Sequence, residues 1–162
     1  MLKKIITILS VALLSTFGIF AGDPNDISVE QLPPEVKSVL EKYVSILRSA
    51  ATVDECAKNL VEIAGGGLVN EDGSLRKDVP QFSLKKDFTD IKQYADPIVI
   101  TRVNLTSSNG DGFGKTKIKG KIYKIWIDKK DKSLGMPAPV RIMIPEGHPT
   151  ITTPKVVQIG NY

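Results

Sequence analysis

The longest strand-like alternation of apolar and polar residues covers residues 115–128, and we take it as the element around which the fold is organised. Successive side chains of a strand point to opposite faces, so this pattern predicts a long central strand. The apolar side chains stand at even positions up to Ile122 and at odd positions from Tyr123 onward. This change of phase indicates either a β-bulge or a strand that passes from an open face to one covered on both sides. Because Gly120 has no side chain to pack, we favour a bulge or bend at residues 120–124.

Upstream of this strand, apolar residues repeat at helical spacing in three segments. Pro34 opens the first segment, since its missing N–H costs nothing in the first turn of a helix. Residues 52–55 match a capping box, in which Thr and Glu side chains bind each other's backbone N–H groups, and they predict a second helix that the glycines at 65–67 end. Ser83 is predicted to cap a third helix, which ends at Asp96 because a residue before proline disfavours helical dihedrals.

After Pro97 the pattern changes from helical to strand-like. Turn-rich stretches separate four predicted strands, at residues 98–105, 115–128, 140–144 and 155–159. Helices followed by antiparallel strands predict an α+β fold, with N-terminal helices packed on a curved antiparallel sheet. We expect one domain over residues 33–162, because a chain of this length can bury a single core. Residues 22–32 are expected to be a poorly ordered polar lead.

The order of these elements resembles that of a known superfamily. A long amphipathic helix with an aromatic residue in mid-face (VLEKYVSIL), a second helix closed by glycines and a curved sheet with a long bent strand resemble the NTF2-like, cystatin-like roll superfamily. The resemblance covers nearly all of residues 33–160 and concerns the order and spacing of elements. It implies a conical fold with a pocket between helices and sheet. Members include isomerases, dehydratases and many non-catalytic domains, so the resemblance leaves the function open.

The first 21 residues have the features of a secretory signal peptide. Lys3 and Lys4 form a basic start, an apolar run follows at residues 5–20, and small residues come next. An uncleaved anchor is the alternative, because Ile19 departs from the small residue that the cleavage rule prefers; the run is nevertheless shorter than the ~20 apolar residues of a membrane span. We expect an exported protein, periplasmic or extracellular. Loss of the two lysines lowers the net charge from +4 to +2.

Composition and motif context exclude several kinds of site. The only cysteine, Cys56, cannot form an internal disulfide and is expected to be a buried thiol on the apolar face of the second helix. The only histidine, His148, rules out a histidine-rich metal site and is expected to be exposed in a turn. Residues 114–116 end like a phosphate-binding P-loop, but Asn109 stands where that pattern needs glycine, and a strand follows instead of a helix. We therefore predict no metal site and no cofactor.

A pocket enzyme of the isomerase or dehydratase type would need a buried carboxylate beside a tyrosine hydroxyl. The available side chains form no recognisable constellation in the sequence; they are Asp96, Asp128, Tyr43, Tyr94 and Tyr123. We therefore favour a non-catalytic binding or interaction domain for a small ligand or a protein, and keep the small pocket enzyme as the alternative. A buried Asp opposite a Tyr hydroxyl would favour the enzyme, and an apolar pocket would favour the binding domain.

Four alternating lysines in the long strand are the candidate anion-binding residues: Lys115, Lys117, Lys119 and Lys121. Such a ribbon of like charge can attract an anionic partner. We favour the alternative of a solvated face or a guarded edge strand, because no aromatic residue stands among them to stack on a nucleic acid. A sheet face left free by the helices could also support a homodimer.

Overall fold

The computed structural model describes residues 23–160, so the predicted signal peptide lies outside the described residues. Three α-helices pack on a five-stranded antiparallel sheet, which confirms the predicted α+β class. Among the described residues, no helix combines the length and apolar character needed to cross a membrane.

The helices are α1 (Pro34–Ser49), α2 (Val53–Leu60) and α3 (Leu84–Asp90). Thr52 caps α2 as predicted, because its hydroxyl accepts a hydrogen bond from the Glu55 N–H at 3.2 Å. The return bond of the capping box differs from the prediction: the Glu55 carboxylate accepts from the N–H of Ala51 instead of Thr52. The helix also ends at Leu60, before the glycines that we expected to end it.

The third helical segment begins earlier than predicted. A π-helical turn (Val79–Ser83) runs directly into α3, and a 3-10 turn (Ile91–Gln93) follows. Ser83 therefore has helical dihedrals, φ −64° and ψ −50°, instead of the extended ones of an N-cap. The signal that the sequence prediction missed is Pro80, since proline fits the first turn of a helix.

The strands lie side by side in chain order: β1 (Asp26–Ile27), β2 (Ile100–Asp111), β3 (Ile118–Ile127), β4 (Val140–Pro145) and β5 (Lys155–Gln158). β4 and β5 begin where the sequence predicts. Contrary to the expected poorly ordered lead, β1 pairs with β2 and extends the sheet. β2 reaches Asp111 instead of ending at residue 105, and β3 is shorter at both ends than residues 115–128.

No bulge interrupts β3, so the bulge that we favoured at residues 120–124 is wrong. The pairing with β4 runs without a break from Gly120 to Ile125, and the irregular positions of the sheet lie in β2 and between β4 and β5. The phase changes because β3 contributes to two cores on opposite faces. Tyr123 and Ile125 belong to the main core under the helices, whereas Ile118 packs in a smaller cluster on the other face.

The main core fills the interface between the helices and the sheet, where the resemblance implied a pocket. Its central side chains come from α1 and from four strands: Val36, Leu40, Tyr43, Leu47, Val103, Tyr123, Ile125, Ile142 and Val156. Cys56 is fully buried in this core, as predicted. Burial, first of all, raises the pKa of its thiol to about 11, so Cys56 is an unreactive packing residue.

Candidate functional site

A cavity of about 630 Å³ lies where the end of α1 meets the turn after α3 and the segment after β3. We call it the terminal cavity. Its apolar lining consists of Leu47, Ala50, Ala51, Phe88, Ile91 and Tyr94. Its polar lining consists of Arg48, Thr89, Lys92, Asp96 and Lys130. Both the volume and the combination of apolar walls with a few charged groups are typical of small-molecule sites.

Backbone hydrogen bonds join the two segments that close this cavity. The N–H of Ala95 donates to the carbonyl of Asp128 at 3.1 Å, and the N–H of Lys130 donates to the carbonyl of Gln93 at 2.8 Å. The bonds form an antiparallel bridge between Tyr94 and Lys129. Residues distant in the sequence therefore line one hollow.

Tyr94 supplies an aromatic wall to the terminal cavity. Its hydroxyl accepts a hydrogen bond from the Ala138 N–H at 3.0 Å, and the Lys129 ammonium lies 5.9 Å from the ring centroid. Burial, the main cause, raises the pKa of the Tyr94 phenol. Burial therefore favours the neutral phenol, and Tyr94 serves as a packing surface.

Three cations and one carboxylate line the terminal cavity, which gives its lining an excess of positive charge. The Arg48 guanidinium is engaged: Nη1 donates to Asp96 Oδ1 at 2.8 Å, and Nη2 donates to the Ala95 carbonyl at 2.7 Å. Lys92 and Lys130 have no side-chain hydrogen bond or ion pair with any described residue. The ammonium groups of Lys92 and Lys130 thus lie at the rim outside any ion pair among the described residues.

A shallower groove of about 450 Å³, the side groove, adjoins the terminal cavity. Its lining residues are Glu41, Val44, Ser45, Arg48, Ser49, Asp96, Pro97 and Ile98. Arg48 and Asp96 line both hollows, so their ion pair is the shared wall.

A buried acid beside a tyrosine hydroxyl is present, but it lies in the packed layer between α1 and α3. The Tyr43 hydroxyl donates to Asp87 Oδ2 at 2.7 Å, and the Gly160 N–H donates to the same oxygen at 3.1 Å. Tyr43 is only 1% exposed, and neither residue lines the terminal cavity or the side groove. Burial, the largest cause, raises the pKa of the Asp87 carboxyl. The pair therefore joins two helices and the C-terminal segment.

Asp87 was absent from the candidates drawn from the sequence. It occupies an apolar-face position of α3, three residues after the buried Leu84 and four before the buried Ile91. A carboxylate at helical spacing among apolar residues was the signal that could have found it. Of the sequence candidates, the structure brings Asp96 and Tyr94 to the terminal cavity. Tyr123 lies in the main core, and the Asp128 carboxylate accepts from the N–H of the next residue, Lys129.

The candidate anion-binding lysines do not form one ribbon on a strand. Lys115 lies in a 3-10 turn (Gly114–Thr116) instead of β3. Lys117 and Lys119 line a small groove of about 180 Å³, together with the acidic Glu146. Lys121 is exposed farther along β3.

His148, predicted to be exposed, is half-buried and organises the loop that follows β4. Its Nδ1 accepts hydrogen bonds from the N–H groups of Thr150 and Ile151, at 3.2 Å and 2.9 Å. Because Nδ1 is an acceptor, Nε2 carries the proton and donates to the carbonyl of Lys115 at 3.1 Å. The imidazole therefore stabilises the conformation of this loop.

The sheet face opposite the helices, the helix-free face, carries several cations beside the smaller apolar cluster. Trp126 lies there close to two cations: the Arg102 guanidinium carbon and the Lys124 ammonium lie 4.7 Å and 4.8 Å from its ring centroid. Arg102 Nε also donates to both carboxylate oxygens of Asp26, at 2.9 Å and 3.1 Å. Lys124 pairs across the strands with Arg141, which adds a further cation to the same face.

Comparison of the chain with protein-family models, with curated proteins and with solved structures gave no match. The class of protein that the fold and the terminal cavity define is an α+β domain with a cation-rimmed hollow beside its helices.

Proposed function

We propose that this protein is a non-catalytic binding domain that holds a small carboxylate with an apolar body in the terminal cavity. The observation that carries the proposal is that the apolar lining of the terminal cavity has two lysines, Lys92 and Lys130, at its rim. Neither lysine forms an ion pair with a described acidic residue. Burial of the ligand's apolar body supplies affinity at ~25 cal/mol per Å² of apolar surface. The lysines supply the preference for an anion.

The small pocket enzyme has weaker support from the geometry. A general acid or base must reach the reacting group of a bound substrate. Asp87 and Tyr43 hydrogen-bond each other in the packed layer, outside both hollows. The carboxylate that does line the terminal cavity, Asp96, is exposed and paired with Arg48. The cavity therefore offers groups for binding more than for proton transfer.

We also propose a superfamily, a location and a mode of assembly for this protein. The element order, with a helical layer packed on an antiparallel meander, supports membership of the NTF2-like, cystatin-like roll superfamily. The basic and apolar character of residues 1–21 supports export. A homodimer through the helix-free face stays a prediction, and like charges on Lys124 and Arg141 would oppose it.

Calorimetric titration with 4-phenylbutyrate and its neutral amide tests the proposed function. We expect the carboxylate to bind more tightly than the amide, because the amide keeps the apolar body and removes the charge. Replacing both rim lysines (Lys92→Gln with Lys130→Gln) should weaken carboxylate binding about tenfold, equivalent to ~1.4 kcal/mol. Lys37→Gln, on the exposed side of α1, is the matched control and should change nothing. Equal binding of acid and amide, or no binding of either, would refute the proposal.

A further inference from the structure

We infer that Asp96 is a built-in competitor of the ligand: it occupies Arg48 when the terminal cavity is empty, and the ligand's carboxylate replaces it on the guanidinium. This inference rests on the proposed function and deepens it. It assigns Arg48 as the residue that binds the carboxylate and Asp96 as the residue that limits its affinity.

The two partners of this ion pair are held very differently. Arg48 belongs to the last turn of α1, and its side chain is 27% exposed. A second hydrogen bond, from Nη2 to the Ala95 carbonyl, fixes the guanidinium independently of Asp96. The Asp96 side chain is 65% exposed, and Arg48 Nη1 is its hydrogen-bond donor. The cation therefore keeps its position when the carboxylate is displaced.

Breaking the ion pair between Arg48 and Asp96 also costs little free energy. An exposed ion pair contributes little to stability, because water solvates a released carboxylate well. Displacement of Asp96 leaves it facing solvent, so no unpaired charge becomes buried. An incoming carboxylate gains the same guanidinium and also buries its apolar body. Replacement of the Asp96 carboxylate by that of a ligand therefore favours a ligand whose apolar body fits the apolar lining of the terminal cavity.

The position of Arg48 matches such a ligand. Arginine presents planar N–H donors that suit a carboxylate, which makes it a more selective anchor than lysine. Because Arg48 lines both hollows, a carboxylate bound there can direct its apolar body onto the side chains of Phe88 and Leu47. Lys92 and Lys130 then attract the anion at the rim, while Arg48 orients it.

The test compares Asp96→Asn and Arg48→Gln with the unaltered protein, by calorimetric titration with 4-phenylbutyrate and its amide. Asn keeps the size of Asp and removes the competing charge, so we expect Asp96→Asn to raise affinity for the carboxylate about tenfold. Its affinity for the amide should stay unchanged. Arg48→Gln should reduce the preference for the carboxylate about tenfold and leave the part that Lys92 and Lys130 supply. Asp78→Asn, which breaks the surface pair with Arg76, is the matched control and should bind like the unaltered protein.

The outcomes separate the two proposals. If the unaltered protein prefers the carboxylate but Asp96→Asn binds it no more tightly, the competitor role is overturned and the proposed function stands. If Asp96→Asn gains equally for acid and amide, its effect is steric and the competitor role is likewise overturned. If no protein prefers the acid, both proposals fail. Thermal unfolding of each variant, monitored by circular dichroism, establishes that the comparison is made between folded proteins.

Discussion

The hydroxyl of Tyr43 donates a 2.7 Å hydrogen bond to the carboxylate of Asp87, across 44 residues of sequence. Because Tyr43 is almost fully buried, loss of its hydroxyl would leave a carboxylate with one donor fewer in a water-poor layer. We expect Tyr43→Phe to lower the free energy of unfolding by ~1–3 kcal/mol, the cost of an unsatisfied buried polar group. Urea denaturation followed by fluorescence measures it. An unchanged midpoint would mean that water replaces the hydroxyl.

The Asp87 carboxyl should give the protein a pH-dependent stability. Burial raises its pKa in the folded state above the ordinary 3.8, so the folded protein holds the proton to higher pH than the unfolded chain. The free energy of unfolding contributed by this group is therefore greatest below pH 3.8 and falls as pH rises through the folded pKa.

Asp87→Asn tests this dependence. Tyr43 and Gly160 both donate to one oxygen, Oδ2, so a single amide carbonyl can accept both bonds. We expect the variant to be at least as stable as the unaltered protein at pH 7 and to lack the decline just above pH 3.8. Denaturation midpoints measured in steps from pH 3 to pH 7 supply the data, with the exposed Asp54→Asn as control. A decline in stability of equal size in the unaltered protein and in Asp87→Asn would show that other titratable groups cause it.

Tyr123 and Trp126 should differ in their contributions to stability although both are aromatic residues of β3. Tyr123 is buried in the main core, so Tyr123→Ala should cost ~3–5 kcal/mol. Trp126 is half-buried on the helix-free face and contacts two cations, so Trp126→Ala should cost ~1–2 kcal/mol. Chemical denaturation of both variants ranks them. A larger loss of stability in Trp126→Ala than in Tyr123→Ala would contradict the assignment of the main core to the face of β3 that carries Tyr123.

Gly120 should not tolerate a side chain. Its φ is +148°, and an added Cβ would stand only 2.0 Å from the backbone carbonyl oxygen of Ile144 on β4. Gly120→Ala should therefore cost ~3 kcal/mol or more, because a backbone atom cannot move aside without breaking the strand pairing. Gly73→Ala is the matched control: its φ is +83°, and an added Cβ meets nothing within 4 Å. It should cost ~1–2 kcal/mol, from backbone strain alone.

The exposed lysines near β3 should show little affinity for polyanions. Lys117 and Lys119 share their groove with Glu146, and Lys115 lies in a separate turn, which divides the positive charge. We expect weak retention on heparin at low salt and no loss of it when Lys117, Lys119 and Lys121 are changed to Glu. Strong retention that falls steeply with salt and disappears in the triple variant would restore these lysines as an anion-binding site.

Local patterns in the sequence determined where two helices and the last two strands begin, and the class of fold. α1, α2, β4 and β5 begin where periodicity and caps predict, since apolar spacing and first-turn chemistry are properties of neighbouring residues. The burial of Cys56 follows from the same spacing on α2. The change of phase in β3 was also visible, but its cause was not: a bulge and a second core produce the same alternation.

Only the tertiary structure decided which residues distant in the sequence come into contact. β1 is two residues long and exists because β2 offers an edge to pair with, so no local pattern could specify it. Asp87 and Tyr43 meet because α1 and α3 pack together, although a polar residue at an apolar position of α3 marked one end of the contact. The terminal cavity joins Arg48, Lys92 and Lys130 from three separate segments. Packing of whole elements, and not the order of residues along the chain, sets these distances.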